Sequence, residues 1–180
     1  MLEALITSKT RIKLLLKFFI NSDSSAHLRS LAKEMNESTN SVRLELNKMS
    51  EAGLLISHNE GKTIQYAAND KHPLFPELKS LVRKYLGLDK LVEQLVRRLG
   101  DVRYAFIVGD YAQGKDSGTI DLLIVGNVDI TMLNYLVGKT ESVIHRKVKT
   151  EVMNLDQYNK TKPSLNKSQT LLIWSDDSVM

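Results

Sequence analysis

Leu31-Ala32-Lys33-Glu34-Met35-Asn36-Glu37-Ser38-Thr39-Asn40-Ser41-Val42-Arg43-Leu44-Glu45-Leu46-Asn47-Lys48-Met49-Ser50-Glu51-Ala52-Gly53-Leu54-Leu55 is the stretch whose reading decides the fold. Leu28, Leu31, Ala32 and Met35 recur at helical spacing, so a helix is expected from about Ala26 to Met35. Asn36 and Glu37 make a tight turn, and Ser38 or Thr39 is a good N-cap for a second helix. That helix carries Val42, Leu46 and Met49 on its buried stripe. Gly53 suits the left-handed position that ends it.

Working outward, Leu5 to Ile20 reads as a preceding helix, with Ile12, Leu15, Leu16 and Phe19 inward and Lys9, Arg11, Lys13 and Lys17 outward. Asn21-Ser22-Asp23-Ser24 stops it. Downstream, Leu54–Ser57 and Thr63–Ala67 read as strands joined by a loop from His58 to Lys62. Helix, helix, turn, helix and hairpin is the order of a winged helix, here over residues 1–70. The stretch ending Glu51-Ala52-Gly53-Leu54 resembles the helix-turn-helix of ArsR- and MarR-like bacterial regulators. The resemblance implies a double-stranded DNA partner and a transcriptional role.

The residues carry that logic on their own terms. A major groove admits one helix, whose exposed side must offer small or polar side chains to base edges. Thr39, Asn40, Ser41, Arg43 and Asn47 lie off the apolar stripe. Arg43 can fork onto guanine, and Asn40 or Asn47 can pair with adenine. Lys48, with Asn59 and Lys62 of the hairpin, suits phosphate contacts, which set register without reading sequence. Glu45 is open to two readings, an acceptor for cytosine or a solvent-facing residue. Leu44 is open to a thymine methyl or a partner surface.

Residues 71–100 read as a helical connector. His72-Pro73-Leu74-Phe75-Pro76 breaks regular structure, and amphipathic helices follow at about Glu77–Tyr85 and Leu88–Leu99. From 101 to 180 the periodicity changes. Strands are expected at Tyr104–Val108, Ile120–Val125 and Lys147–Met153, a helix at Thr131–Ile144 and a late edge strand at Thr170–Trp174. The chain is therefore expected to be α+β, a winged helix-turn-helix followed by a second α/β domain.

Val108-Gly109-Asp110-Tyr111-Ala112-Gln113-Gly114 followed by Thr119-Ile120-Asp121-Leu122 is the most telling part of that second domain. It resembles the polymerase-beta-like nucleotidyltransferase superfamily, whose pattern is Gly-Ser-x-Ala-x-Gly and then Asp-x-Asp on a strand. The resemblance implies a glycine turn that admits a triphosphate and a carboxylate pair that holds Mg²⁺. Gly109, Ala112, Gly114 and Asp121 match, and Glu151 is a candidate third carboxylate. Asp110 replaces the serine and Thr119 the first aspartate. A carboxylate where phosphate should sit opposes it by about 1 kcal/mol at 4 Å in water, and more when partly buried. Gly109, Asp110, Gly114, Thr119, Asp121 and Glu151 thus form a degenerate nucleotide site, expected to be inactive, with no catalytic residue, cofactor or bound metal. Two alternatives stand beside that reading. Asp110, Asp121 and Glu151, with Asp116 nearby, could rebuild a metal site for an active metal-dependent nucleotidyltransferase that holds its substrate with the winged helix. The segment could also be a generic turn between strands.

Composition frames these expectations. The chain has 180 residues, 42% hydrophobic and 26% charged, with a net charge of +4 whose excess lies before Tyr104. A basic first half suits phosphate. No cysteine is present, which removes disulfides and thiolate metal sites. The four histidines, His27, His58, His72 and His145, lack ligand spacing. No secretion signal or bilayer-length apolar run is visible, so a cytoplasmic protein without membrane contact is expected, acting as a homodimer.

Overall fold

The computed structural model describes residues 2–161 and 169–176. The chain divides into two compact units, residues 1–85 and 86–180, so the stretch 71–100 is split between them.

In the first unit, α1 (Leu2–Leu5) is followed by α2 (Lys9–Phe19). The expected single helix from Leu5 is interrupted because Leu5, 75% exposed, has no core to join. Ser8 instead caps α2, its side chain accepting from the Arg11 amide at 3.2 Å. Leu14, Phe18, Phe19 and Ile20 fill the centre of the unit. The outward cationic face expected of α2 is a seam of ion pairs. Arg11 meets Glu45 at 2.7 Å, Lys13 meets Glu37 at 2.7 Å, and the buried Lys17 meets Glu34 at 2.9 Å. Lys13 also donates to the Met35 carbonyl, fastening the next turn.

β1 (Ser25–His27) was not visible in the periodicity. It delays α3 (Leu28–Met35) by two residues, because Ala26 and His27 pair across a sheet with Tyr66 and Gln65. Asn36 takes the left-handed conformation at the end of α3. α4 (Thr39–Glu51) begins at Ser38, whose hydroxyl accepts from the Ser41 amide. It ends in a Schellman motif: Leu54 N–H donates to Met49 and Gly53 N–H to Ser50, with Gly53 at φ +71. β2 (Leu55–Glu60) and β3 (Thr63–Ala68) form the hairpin, and the sheet order is β1-β3-β2. The expected five-residue loop is only Gly61-Lys62, since Asn59 still pairs with Ile64 and Glu60 with Thr63. Beyond Leu55 every residue of β2 is exposed, so no apolar alternation marked its outer half, His58 to Glu60, as strand. α5 (Phe75–Leu86) carries Pro76 in its first turn, where no amide donor is needed.

In the second unit the sheet order is β6-β5-β4-β7. β4 (Val102–Val108) is antiparallel to β5 (Thr119–Gly126) and to β7 (Thr170–Ser175), an edge strand as expected. β5 is parallel to β6 (Lys147–Met153) through the crossover helix α7 (Ile130–Ile144). α6 (Leu88–Gln94) packs on α7. α8 (Leu155–Thr161) covers the sheet face of Phe106, Leu123 and Val125 with Tyr158, whose ring lies 5.6 Å from Phe106 and 5.3 Å from Tyr104. Among the described residues no helix is long and apolar enough to cross a membrane.

Candidate functional site

Two places were singled out by the sequence, the outer side of α4 with the hairpin and the turn between β4 and β5.

Val42, Leu46 and Met49 of α4 are buried, and Thr39, Asn40, Arg43, Leu44, Asn47 and Lys48 are exposed. Residues three and four apart share a helix face, so Asn40, Arg43, Leu44 and Asn47 make one open stripe. Ser41 is half-buried and hydrogen-bonded to the Ser38 hydroxyl at 2.9 Å, which turns it away from that stripe. Glu45 faces neither a base nor solvent. It is buried, accepts from Arg11 Nε and lies 3.8 Å from Lys48 Nζ. Burial pushes its carboxyl up, but hydrogen bonds from Arg11 and Ser8, with the charges of Arg11 and Lys48, outweigh that and hold it below the usual carboxylate range.

A groove of about 550 Å³ runs between α4 and the hairpin. Arg29 of α3, Arg43 and Asn47 of α4, and Lys62, Ile64 and Tyr66 of the hairpin line it. Asn59, the register partner of Ile64, stands on the same face of the hairpin. Arg29, Arg43 and Lys62 have no acidic partner among the described residues, in contrast to the spent cations of α2. The groove therefore offers three unneutralised cations with an amide and an apolar side chain among them, the chemistry that a phosphate strand beside base edges requires. Arg29 was missed by sequence reasoning, although its place outside the Leu28/Leu31/Met35 stripe of α3 was a usable signal.

In the second unit, Gly109 sits at φ +67 directly after β4. That left-handed backbone favours glycine, and a Cβ there would also lie 3.2 Å from Asp121 Oδ2. Asp110 begins the turn Tyr111–Gln113 and draws Lys115 to 3.5 Å, and Gly114 ends it in the left-handed region. Asp121 has Val108 beside it on β4 and Lys149 beside it on β6. Glu151 is paired with Leu123, one pleat or about 7 Å further along. Thr119 is paired with Lys147. In register Asp121 thus has a lysine and not a carboxylate next to it on β6, and among the described residues no three His, Asp or Glu side chains gather as a metal would need.

A side-chain network beside this turn was not visible in the sequence. Tyr111, fully buried, donates its hydroxyl to Asp116, and Arg146 donates to Asp116 Oδ2 at 2.7 Å and to the Tyr111 oxygen at 2.9 Å. Burial pushes the Asp116 carboxyl up, but Arg146, Tyr111 and the Gly118 amide hold it below the usual range. Burial and the adjacent Asp116 carboxylate push the Tyr111 phenol up. The network ties residues 111–118 to the junction of α7 and β6, a separation of 30 residues or more that no local pattern encodes.

No protein-family model matches the chain, and no curated protein matches it. Among solved structures it is similar to the Shewanella oneidensis complex of a tri-AMPylated HEPN toxin with its MNT antitoxin, at 15% identity over 52% of this chain and 73% of that one, TM-score 0.37. It is similar to reduced HlyU from Vibrio cholerae at 16% identity, 51% and 82% coverage and TM-score 0.35. It is similar to AF1382 from Archaeoglobus fulgidus at 20% identity, 47% and 96% coverage and TM-score 0.39. TM-scores below 0.5 do not establish a shared fold.

Proposed function

We propose that the chain is a cytoplasmic transcriptional regulator that binds double-stranded DNA as a homodimer. In this reading residues 1–70 are a winged helix-turn-helix, 71–100 a helical connector, and 101–180 a nucleotidyltransferase-like domain that transfers no nucleotide and serves dimerisation, ligand sensing or docking. The observation that carries it is the open stripe of Asn40, Arg43 and Asn47 beside a groove whose three cations have no acidic partner among the described residues. Asn40, Asn47 and Arg43 address base edges, Arg29 and Lys62 the phosphates, and Lys48 flanks the stripe. The inactive reading of the second domain is supported by Thr119 in place of an aspartate and by Lys149 next to Asp121, where a second acidic ligand would be required.

The test is a mobility shift on mixed genomic fragments across a salt series. Retardation at low salt should weaken steeply as salt rises, Lys62→Ala should flatten the slope by about one unit, and Arg43→Ala should cost about 1–3 kcal/mol of affinity for a preferred fragment. Absence of retardation at 50 mM salt or below would overturn the proposal.

A further inference from the structure

We infer that the second unit holds an anion site occupied by its own Asp116, for which the phosphoryl oxygens of a small ligand compete. The donors converge on one carboxylate. Arg146 Nη2 reaches Asp116 Oδ2 at 2.7 Å and Arg146 Nε reaches Oδ1 at 3.4 Å. The Tyr111 hydroxyl and the Gly118 amide, the latter at 3.2 Å, also point at Oδ1. A guanidinium fork, a hydroxyl and a backbone amide around one oxyanion form the donor set by which proteins hold phosphate.

Two further features favour a displaceable occupant over a permanent one. Asp116 belongs to the exposed segment Lys115–Gly118, its side chain 25% exposed against 14% for Arg146, and Tyr111 is fully buried. Two of the donors, Tyr111 and Arg146, thus lie outside the segment that carries both Asp116 and the Gly118 amide. A groove of about 420 Å³ adjoins the network, lined by Gly118, Gly138, Ser142, His145, Arg146 and Lys147. Glu141 also faces that groove, but its carboxylate is already engaged by Lys147 Nζ at 3.1 Å and the Val148 amide at 2.8 Å. Room therefore lies beside the place that Asp116 fills. Because Asp116 is tethered, it competes at an effective concentration in the millimolar range or above, so the unaltered chain binds a free oxyanion weakly.

The experiment is calorimetric titration of the full chain with inorganic pyrophosphate. Asp116→Ala should bind at least tenfold more tightly than the unaltered chain, and Arg146→Gln in the Asp116→Ala background should abolish the gain. Equal affinity of Asp116→Ala and the unaltered chain would overturn the inference. Should Asp116→Ala not fold, the unaltered chain carries the test: in nitrogen-edited NMR, millimolar pyrophosphate should move the Gly118 amide and the Arg146 Nε–H resonances, and unmoved resonances would refute it. The inference does not rest on DNA binding. A duplex whose affinity rises with Asp116→Ala as much as that of pyrophosphate would assign the site to a nucleic-acid backbone and overturn it.

Discussion

Removing Glu45 should destabilise the first unit by about 1.5 kcal/mol, a figure set by the unequal burial of its ion pair. Glu45 is 10% exposed in its side chain and Arg11 is 38% exposed. A fully buried pair broken on one side costs about 3–5 kcal/mol and an exposed pair about 0.2–1 kcal/mol, and this pair lies between the two. In Glu45→Ala the Arg11 head can turn to water, which limits the loss, while the hydrogen bonds that join Glu45 to Arg11 and Ser8 are lost. For a unit of 85 residues 1.5 kcal/mol corresponds to about 6–12 °C in Tm. Urea denaturation followed by circular dichroism measures it, with Arg11→Ala and the double variant completing a cycle whose coupling should be about 1 kcal/mol. The pH dependence has a definite sign. The folded pKa of Glu45 is depressed, so its contribution is present above the ordinary glutamate range and is lost as pH falls through the folded value. Glu45→Gln should therefore flatten the acid limb of the stability curve. A coupling energy indistinguishable from zero, with an unchanged acid limb, would refute the claim that this pair joins the two helices.

Three other outcomes are expected. Gly53→Ala should cost about 1 kcal/mol in the same denaturation assay, because alanine resists the left-handed conformation that closes α4, and no loss would argue against the Schellman cap. Tyr158→Ala should cost about 3–5 kcal/mol by removing the ring that stacks on Phe106 and Tyr104, and a cost below 1 kcal/mol would mean that α8 does not anchor that face. Incubation with labelled nucleoside triphosphates and Mg²⁺ or Mn²⁺ should give no transfer, and label incorporation that Asp121→Ala abolishes would restore the active nucleotidyltransferase reading.

The helices of the first unit were legible because their buried stripes recur every three or four residues and their ends carry Ser38 and Gly53. β1 was not, since three residues ahead of a helix carry no period of their own and are fixed only by pairing with β3. The outer half of β2 was hidden for a related reason, being exposed along its length. The open side of α4 could be read from the sequence, but the fate of each charge could not. Arg11, Lys13 and Lys17 look like a cationic face on a helical wheel, yet their acids come from α3, α4 and the turn between them. Likewise Thr119 and Asp121 were visible as a broken pair, while the lysine beside Asp121 depends on the register of a parallel strand 28 residues away. Periodicity reports which face is buried, not what it meets there.

The central claim is that the Asn40/Arg43/Asn47 side of α4 enters a duplex. The chain has no cysteine, so Asn47→Cys provides one attachment point for a photoactivated cross-linker. Irradiation in a retarded complex should join the protein covalently to base positions within the bound duplex. Retardation without any cross-link from position 47 would contradict the claim and move the DNA contact to another surface.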